Sequence, residues 1–261
     1  QVIIPKLNGS LVVQGYTSDT TSYAANEDIP PTIYQHRNEL TTTLRLGTDN
    51  VKVYNLNVAN MAGKIERGGQ ALAVSVVTTN SGVYACAIIW VIMLKLLFYQ
   101  DTLYANKGAN LYAKSYISGA IDFIFGQVAN AWFESCDIVA LDEGHFTANG
   151  RNSDTNPSTF VFNNARVSGL AAPGTVYLGR PWQPYARVIF QNSELSEVIN
   201  PAGWELWEDN NTANVYFREC NNSGVGAATE KRVDFSGMLA KPVTIAEVLG
   251  EKFKSEWWVD T

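Results

Sequence analysis

The chain has 261 residues, 46% of them hydrophobic and 17% charged, a composition that supports a globular protein with a sizeable core. Its formal net charge of −6 argues against nucleic acid as a partner, since an acidic surface repels a polyanion. Three cysteines without CxxC spacing and only two histidines leave no plausible zinc site.

The chain opens on Gln1-Val2-Ile3-Ile4-Pro5 without a signal peptide, as a mature secreted chain would. Asn8-Gly9-Ser10, Asn210-Asn211-Thr212 and Asn221-Asn222-Ser223 are glycosylation sequons. Short runs rich in β-branched and aromatic residues then recur, each closed by a polar turn. They are Val53-Tyr54-Asn55-Leu56, Val83-Tyr84-Ala85-Cys86, Leu111-Tyr112-Ala113-Lys114, Trp132-Phe133-Glu134-Ser135, Val161-Phe162-Asn163-Asn164, Ile189-Phe190-Gln191-Asn192 and Tyr216-Phe217-Arg218-Glu219. Aligned on the aromatic, they repeat every ~21 to ~30 residues, a period that marks a solenoid. In such a fold each unit buries its apolar face only against its neighbours.

The units lack a leucine ladder and are too short for propeller blades. They predict an all-β, parallel β-helix occupying residues 1–261 as one domain, with asparagines taking left-handed turn conformations between strands. The apolar stretch Ala87 to Tyr99 is shorter than the roughly 20 residues of a membrane span. Lys95 also interrupts it, so it reads as buried strand. Cys86, Cys136 and Cys220 read as small buried residues, with one disulfide possible. Near the C-terminus, Thr244-Ile245-Ala246-Glu247 predicts a capping box, opening a helix whose apolar face carries Ile245, Val248, Leu249 and Phe253.

In a parallel β-helix, residues one coil apart lie at the strand spacing of about 4.8 Å. Asp101 and Asp122 are about 21 residues apart, the length of the shortest coil. Two carboxylates so placed cannot both ionise cheaply, which suits a general acid beside a nucleophile. Asp122 sits in the apolar run Gly119-Ala120-Ile121-Asp122-Phe123-Ile124-Phe125-Gly126, where an unpaired charge is costly. Gln70 and Gln100 offer neutral amide donors suited to an oxyanion. Arg180, in Leu178-Gly179-Arg180-Pro181-Trp182, follows Asp122 by close to two long coils, within reach to hold Asp122 ionised.

The segments GQALAV, YQDTLY, AIDFIFG and YLGRPW, in this order, resemble the pectin methylesterase family, from about Gly15 to Trp258. The pieces RPWQPYARVIFQN, INPAGW and EWWVD resemble its fungal branch. The resemblance implies a right-handed parallel β-helix that hydrolyses methyl esters on the C6 carboxyl of galacturonate units in pectin. By position it makes Asp122 the nucleophile, Asp101 the general acid and then base, and Gln70 and Gln100 the oxyanion hole, with Arg180 holding Asp122. Trp182, Phe125 and Tyr104 match positions that contact the galacturonan chain. It implies a secreted monomer that acts on pectin, with no metal, cofactor, nucleic acid or membrane. The acidic charge balance suggests activity at acid pH.

The chain departs from that pattern twice. The family's opening helix, early coil and Gly-x-Tyr-x-Glu motif are missing, which implies an N-terminally incomplete solenoid without its cap. The interval from Gln70 to Asp101 is also longer than the resemblance implies, with the surplus between Ile88 and Phe98. Among rivals, a pectate lyase would need a calcium-binding acidic cluster. A glycosidase would use two carboxylates on the glycosidic bond. A serine esterase is disfavoured, because there is no G-x-S-x-G and only His36 and His145 could act as base. A sugar-binding solenoid with an inactive site is the non-enzyme alternative.

Overall fold

The computed structural model describes residues 1–15, 42–60, 72–90, 100–208 and 212–260. Its strands are two to seven residues long, and every paired register is parallel. They form three main sheets. The first has seven strands, from Val2–Ile4 through Leu103–Ala105, Ile124–Gly126 and Thr147–Asn149 to Arg180–Pro181. The second has nine, from Leu11–Gln14 to Ser236–Met238, and the third has six, from Asn57–Asn60 to Glu194–Leu195. The chain visits the sheets in rotation: Leu103–Ala105, Lys107–Ala113 and Tyr116–Gly119 complete one coil, and Ile124–Gly126 starts the next. This is the expected parallel β-helix.

Register shows where the aromatic alignment of the repeats needs correcting. Tyr54 pairs with Tyr84, Tyr84 with Ala113, Ala113 with Glu134, Glu134 with Asn163, Asn163 with Gln191, and Gln191 with Cys220. The steps from coil to coil along the chain are thus 30, 29, 21, 29, 28 and 29. Val83, not Tyr84, stands opposite Tyr112. A one-residue slip moves a side chain to the other face of a strand. Tyr112, Phe133, Phe162 and Phe190 therefore point inward and stack through the core, with ring centroids 4.7, 4.4 and 4.3 Å apart. Tyr54 and Tyr84 point outward and stack on each other at 5.2 Å. Phe217 pairs with Val188, a shift of two that preserves the inward face, and it stacks on Trp204 at 4.2 Å.

The C-terminal segment covers the outer face of the second sheet. Both halves of the Thr244–Glu247 capping box form, and the helix Ile245–Leu249 is shorter than expected. Gly250, at φ 99°, ends it, and Phe253 lies in a following 3-10 turn rather than on the helix. Val248, Leu249, Phe253 and Trp258 pack over Leu111, Trp132, Val161 and Ile189. Lys52 and Tyr54 both bond Asp260, which fastens the end of the chain to the coil beneath.

Left-handed backbone recurs at one turn position of seven successive coils, occupied by Asn55, Ala85, Lys114, Ser135, Asn164, Asn192 and Asn221. The asparagines there match expectation, since this residue tolerates positive φ. All three cysteines are free and buried, so no disulfide forms. The coil that includes Ile88 advances as far as the one from Glu134 to Asn163, while residues 91–99 of the apolar stretch lie outside the described residues. Among the described residues no helix is long and apolar enough to cross a membrane.

The inner aromatic stack predicts that Phe162→Ala, which opens a cavity between Phe133 and Phe190, costs about 3–5 kcal/mol. The lowered denaturation midpoint in urea measures this.

Candidate active site

Asp101 and Asp122 sit at the turns that lead from the third sheet into the first. Gln100 forms a parallel bridge with Ile121, and the Asp101 amide donates to the Ile121 carbonyl at 3.1 Å. The two carboxylates therefore belong to one column, one coil apart. Both residues adopt left-handed backbone, φ 68° and 52°, which aspartate tolerates better than bulkier residues. Both are buried, at 5% and 4% exposure.

Arg180 reaches Asp122 from the strand Arg180–Pro181. Its Nε donates to Oδ1 at 3.0 Å and its Nη2 to Oδ2 at 2.7 Å, a forked pairing. The preceding glycine makes this approach feasible: a Cβ on Gly179 would collide with the Thr147 hydroxyl. The indole of Trp207 lies under the guanidinium, 4.1 Å from ring centroid to Cζ, and holds it from the other side.

Asp101 has no such partner. Its Oδ2 is buried without any hydrogen bond. Burial pushes its carboxyl well above the ordinary carboxylate range, the negative charge of Asp122 pushes the same way, and Arg180 opposes them. The two aspartates are thus chemically unlike: one paired with a cation, the other favoured as the neutral acid.

A cleft of about 350 Å³ opens onto both carboxylates. Gln100, Phe125, Arg180 and Trp182, all anticipated from the sequence, line it together with Ala148, Trp207 and Glu208. Tyr104 stacks on Phe125 at 4.6 Å, and Trp182 meets the edge of Phe125 at 6.2 Å, forming an aromatic wall beside the acids. Gly150 makes room for Trp182, because a Cβ there would meet the indole at 2.6 Å. Gln70 and His36 lie outside the described residues. A larger cleft, about 420 Å³, lies elsewhere between Pro173, Pro201 and Val225, and neither aspartate reaches it.

Sequence reasoning missed four side chains here: Trp207, Glu208, His145 and Glu205. His145 Nδ1 lies 3.7 Å from Asp122 Oδ1, and its Nε2 lies 2.5 Å from Glu205 Oε2. The aromatic runs, which step by 29 residues here, carry no signal for His145. Ile124 pairs with Thr147, so the coil step from Asp122 lands on residue 145. Trp207 and Glu208 lie in the irregular segment between the strands Glu194–Leu195 and Tyr216–Cys220, outside the repeating runs.

Paired carboxylates, a clamped arginine and an aromatic wall on the flank of a parallel β-helix have the form of a carbohydrate-active enzyme. The model of the pectinesterase family matches residues 1–256. A pectinesterase of Aspergillus niger is 43% identical over 276 aligned positions, covering 100% of this chain and 79% of that protein. One of Aspergillus aculeatus is 41% identical, again over 100% of this chain and 79% of the relative. The crystal structure of an Aspergillus niger pectin methylesterase superposes with a TM-score of 0.84 at 33% identity, covering 100% of this chain and 83% of that one. The chain belongs to the pectinesterase family, and its similarity is to the fungal enzymes.

The raised Asp101 group carries a stability consequence of definite sign. A carboxyl whose folded pKa lies above its unfolded one stabilises the fold fully below the unfolded value, and that contribution is lost as pH rises through the folded value. Asp101→Asn, which cannot ionise, is therefore expected to be more stable than wild type at pH 7 and to lose that advantage toward pH 4. Denaturation midpoints at the two pH values check this.

Proposed function

We propose that the chain hydrolyses methyl esters on the C6 carboxyl of galacturonate units in pectin, with Asp122 as nucleophile and Asp101 as general acid and base. One observation carries this reading: two aspartates one coil apart, one forked onto Arg180 and the other buried without a partner. Family membership supplies the reaction class.

An Asp122 carboxylate oxygen attacks the ester carbonyl carbon. Amide donors of Gln100, with Gln70 as its proposed companion, stabilise the oxyanion. As the C–O bond to methoxide breaks, Asp101 Oδ2 gives its proton to the departing oxygen and methanol leaves. The remaining intermediate is an anhydride between Asp122 and the galacturonyl group. Asp101, now a carboxylate, takes a proton from water as that water attacks the anhydride. Hydrolysis returns Asp122 as carboxylate and Asp101 as acid, and the new sugar carboxyl releases water's second proton to solvent, leaving galacturonate. Arg180 keeps Asp122 charged and aimed throughout. No step in this scheme calls for a metal or cofactor.

Trp182, Phe125 and Tyr104 form the proposed platform for the galacturonan chain, since sugar C–H faces pack on aromatic rings while their hydroxyls stay free. Trp207 extends it around Arg180. Residues 1–261 are read as one solenoid domain, secreted and monomeric. Exposed sequons at Asn8 and Asn221 support a glycoprotein, and the Aspergillus niger relative was crystallised with an N-acetylglucosamine stub.

Asp122→Asn is expected to lower methanol release from esterified pectin by at least about 10³-fold while keeping the β-sheet circular dichroism. Methanol release near the wild-type rate by the folded variant contradicts the assignment. Chain shortening or an unsaturated product from the wild-type protein would instead point to a glycosidase or a lyase. Trp182→Ala is expected to raise KM roughly tenfold with kcat altered by less than about threefold, as lost ground-state binding would. Initial rates across pectin concentration separate the two parameters.

A further inference from the structure

The column that holds the two aspartates continues. Asp101 and Asp122 are followed one coil on by His145, and His145 pairs directly with Tyr177. The imidazole lies flat on the Tyr177 ring, with centroids 5.5 Å apart and planes 16° apart. It is nearly sealed from solvent, and Nδ1 makes no hydrogen bond. The other nitrogen is fixed. Nε2 lies 2.5 Å from Glu205 Oε2. An ionised carboxylate only accepts, so Nε2 carries the hydrogen, and a neutral ring then leaves Nδ1 bare. That bare nitrogen faces Asp122 Oδ1 at 3.7 Å.

We propose that His145, anchored by Glu205, is a positioning residue for Asp122 that switches it. When neutral, it presents a lone pair and adds no hydrogen bond to an oxygen that already accepts one from Arg180. When protonated, it donates a hydrogen bond to that oxygen and blunts it, so His145 sets the acid limit of activity. The inference rests on the reading of Asp122 as nucleophile. Stacking on Tyr177 and the bond to Glu205 keep the ring from turning away, so a shift of under about 1 Å brings Nδ1 into hydrogen-bond range of Oδ1. The neutral form is the resting one. Burial lowers the His145 pKa below its ordinary value of 6.5; Arg180 acts in the same direction, while Asp122 and Glu205 oppose them. These two carboxylates, the guanidinium and the Tyr177 phenol are the titratable and charged groups that face the ring among the described residues. At acid pH the ring gains its proton, and the nucleophile then faces a second cation beside Arg180.

A purely structural histidine would lower stability when replaced but leave the pH profile in place. The test is therefore kcat/KM for methanol release against pH for the wild type, His145→Gln and Glu205→Gln, because that ratio reports groups of the free enzyme. It is joined by NMR titration of the imidazole in wild type and Asp122→Asn, with the His145 signal assigned by its loss in His145→Gln. The wild-type acid limb is expected to coincide with the NMR midpoint of His145. His145→Gln is expected to lose that limb or shift it by at least about one pH unit. Glu205→Gln should move the limb to lower pH, because it removes a charge that favours the protonated ring. Asp122→Asn should lower the NMR midpoint for the same reason. An acid limb unchanged in both histidine-side variants, or a midpoint indifferent to Asp122→Asn, overturns the inference. If His145→Gln does not fold, loss of the other of the two histidine signals in His36→Gln assigns the titration, and it decides together with Glu205→Gln. Failure of the parent reading looks different: Asp122→Asn would then still release methanol.

Discussion

Parallel coils stacked in register turn a residue count into a distance, and nearly everything at the site follows from that conversion. The one short step sets Asp101 over Asp122 at the spacing of neighbouring strands. The longer steps that follow put His145 and then Tyr177 under them, and bring Arg180 to a strand edge within reach of Asp122. Asp101, Asp122, His145 and Arg180 are carried by strands and turns of the coils, and Trp207 and Glu205 join them from the irregular segment after Trp204. The inner aromatic stack and the C-terminal cover pack against the two faces of the second sheet.

The same arrangement places groups where they are individually unfavourable. Two aspartates hold positive φ, Asp101 is buried without a partner, and His145 keeps a buried nitrogen unbonded. Unsatisfied buried polar atoms each cost on the order of 1–3 kcal/mol. Other unsatisfied buried atoms, such as those of Ser81, Asn110, Tyr112 and Trp258, are spread through the solenoid, but those of Asp101 and His145 fall in the column beside the cleft. Arg180 relieves one of these costs and so makes the two carboxylates different. Trp207 in turn fixes Arg180 from its far side.

Much of this was legible in the sequence because a solenoid repeats. The recurrence of aromatic runs disclosed the fold, and the spacing of Asp101 and Asp122 disclosed the pair. Face assignment was less legible. Val83 and Tyr84 are adjacent and both apolar, so aligning on the aromatic chose the wrong one to face Tyr112. In an apolar strand buried on both faces, nothing in residue type marks the inward side. His145 was not legible, because the first sheet advances 23 residues from Asp122 to His145 while the aromatic runs of the second sheet advance 29. Trp207, Glu205 and Glu208 arrive from the irregular segment after Trp204, where no period exists to follow. The five-residue helix fell short of its apolar pattern because Gly250 stops it before Phe253.

The central claim is that the paired aspartates divide their roles: Asp101 is held toward its protonated form, while Asp122 is paired with Arg180. The carboxylic C=O stretch in the infrared spectrum at neutral pH tests this most directly, because carboxylates do not contribute to that band. The account predicts a protonated-carboxyl band in the wild type that disappears in Asp101→Asn and persists in Asp122→Asn. A band that instead disappears in Asp122→Asn, or no such band in the wild type, would contradict it.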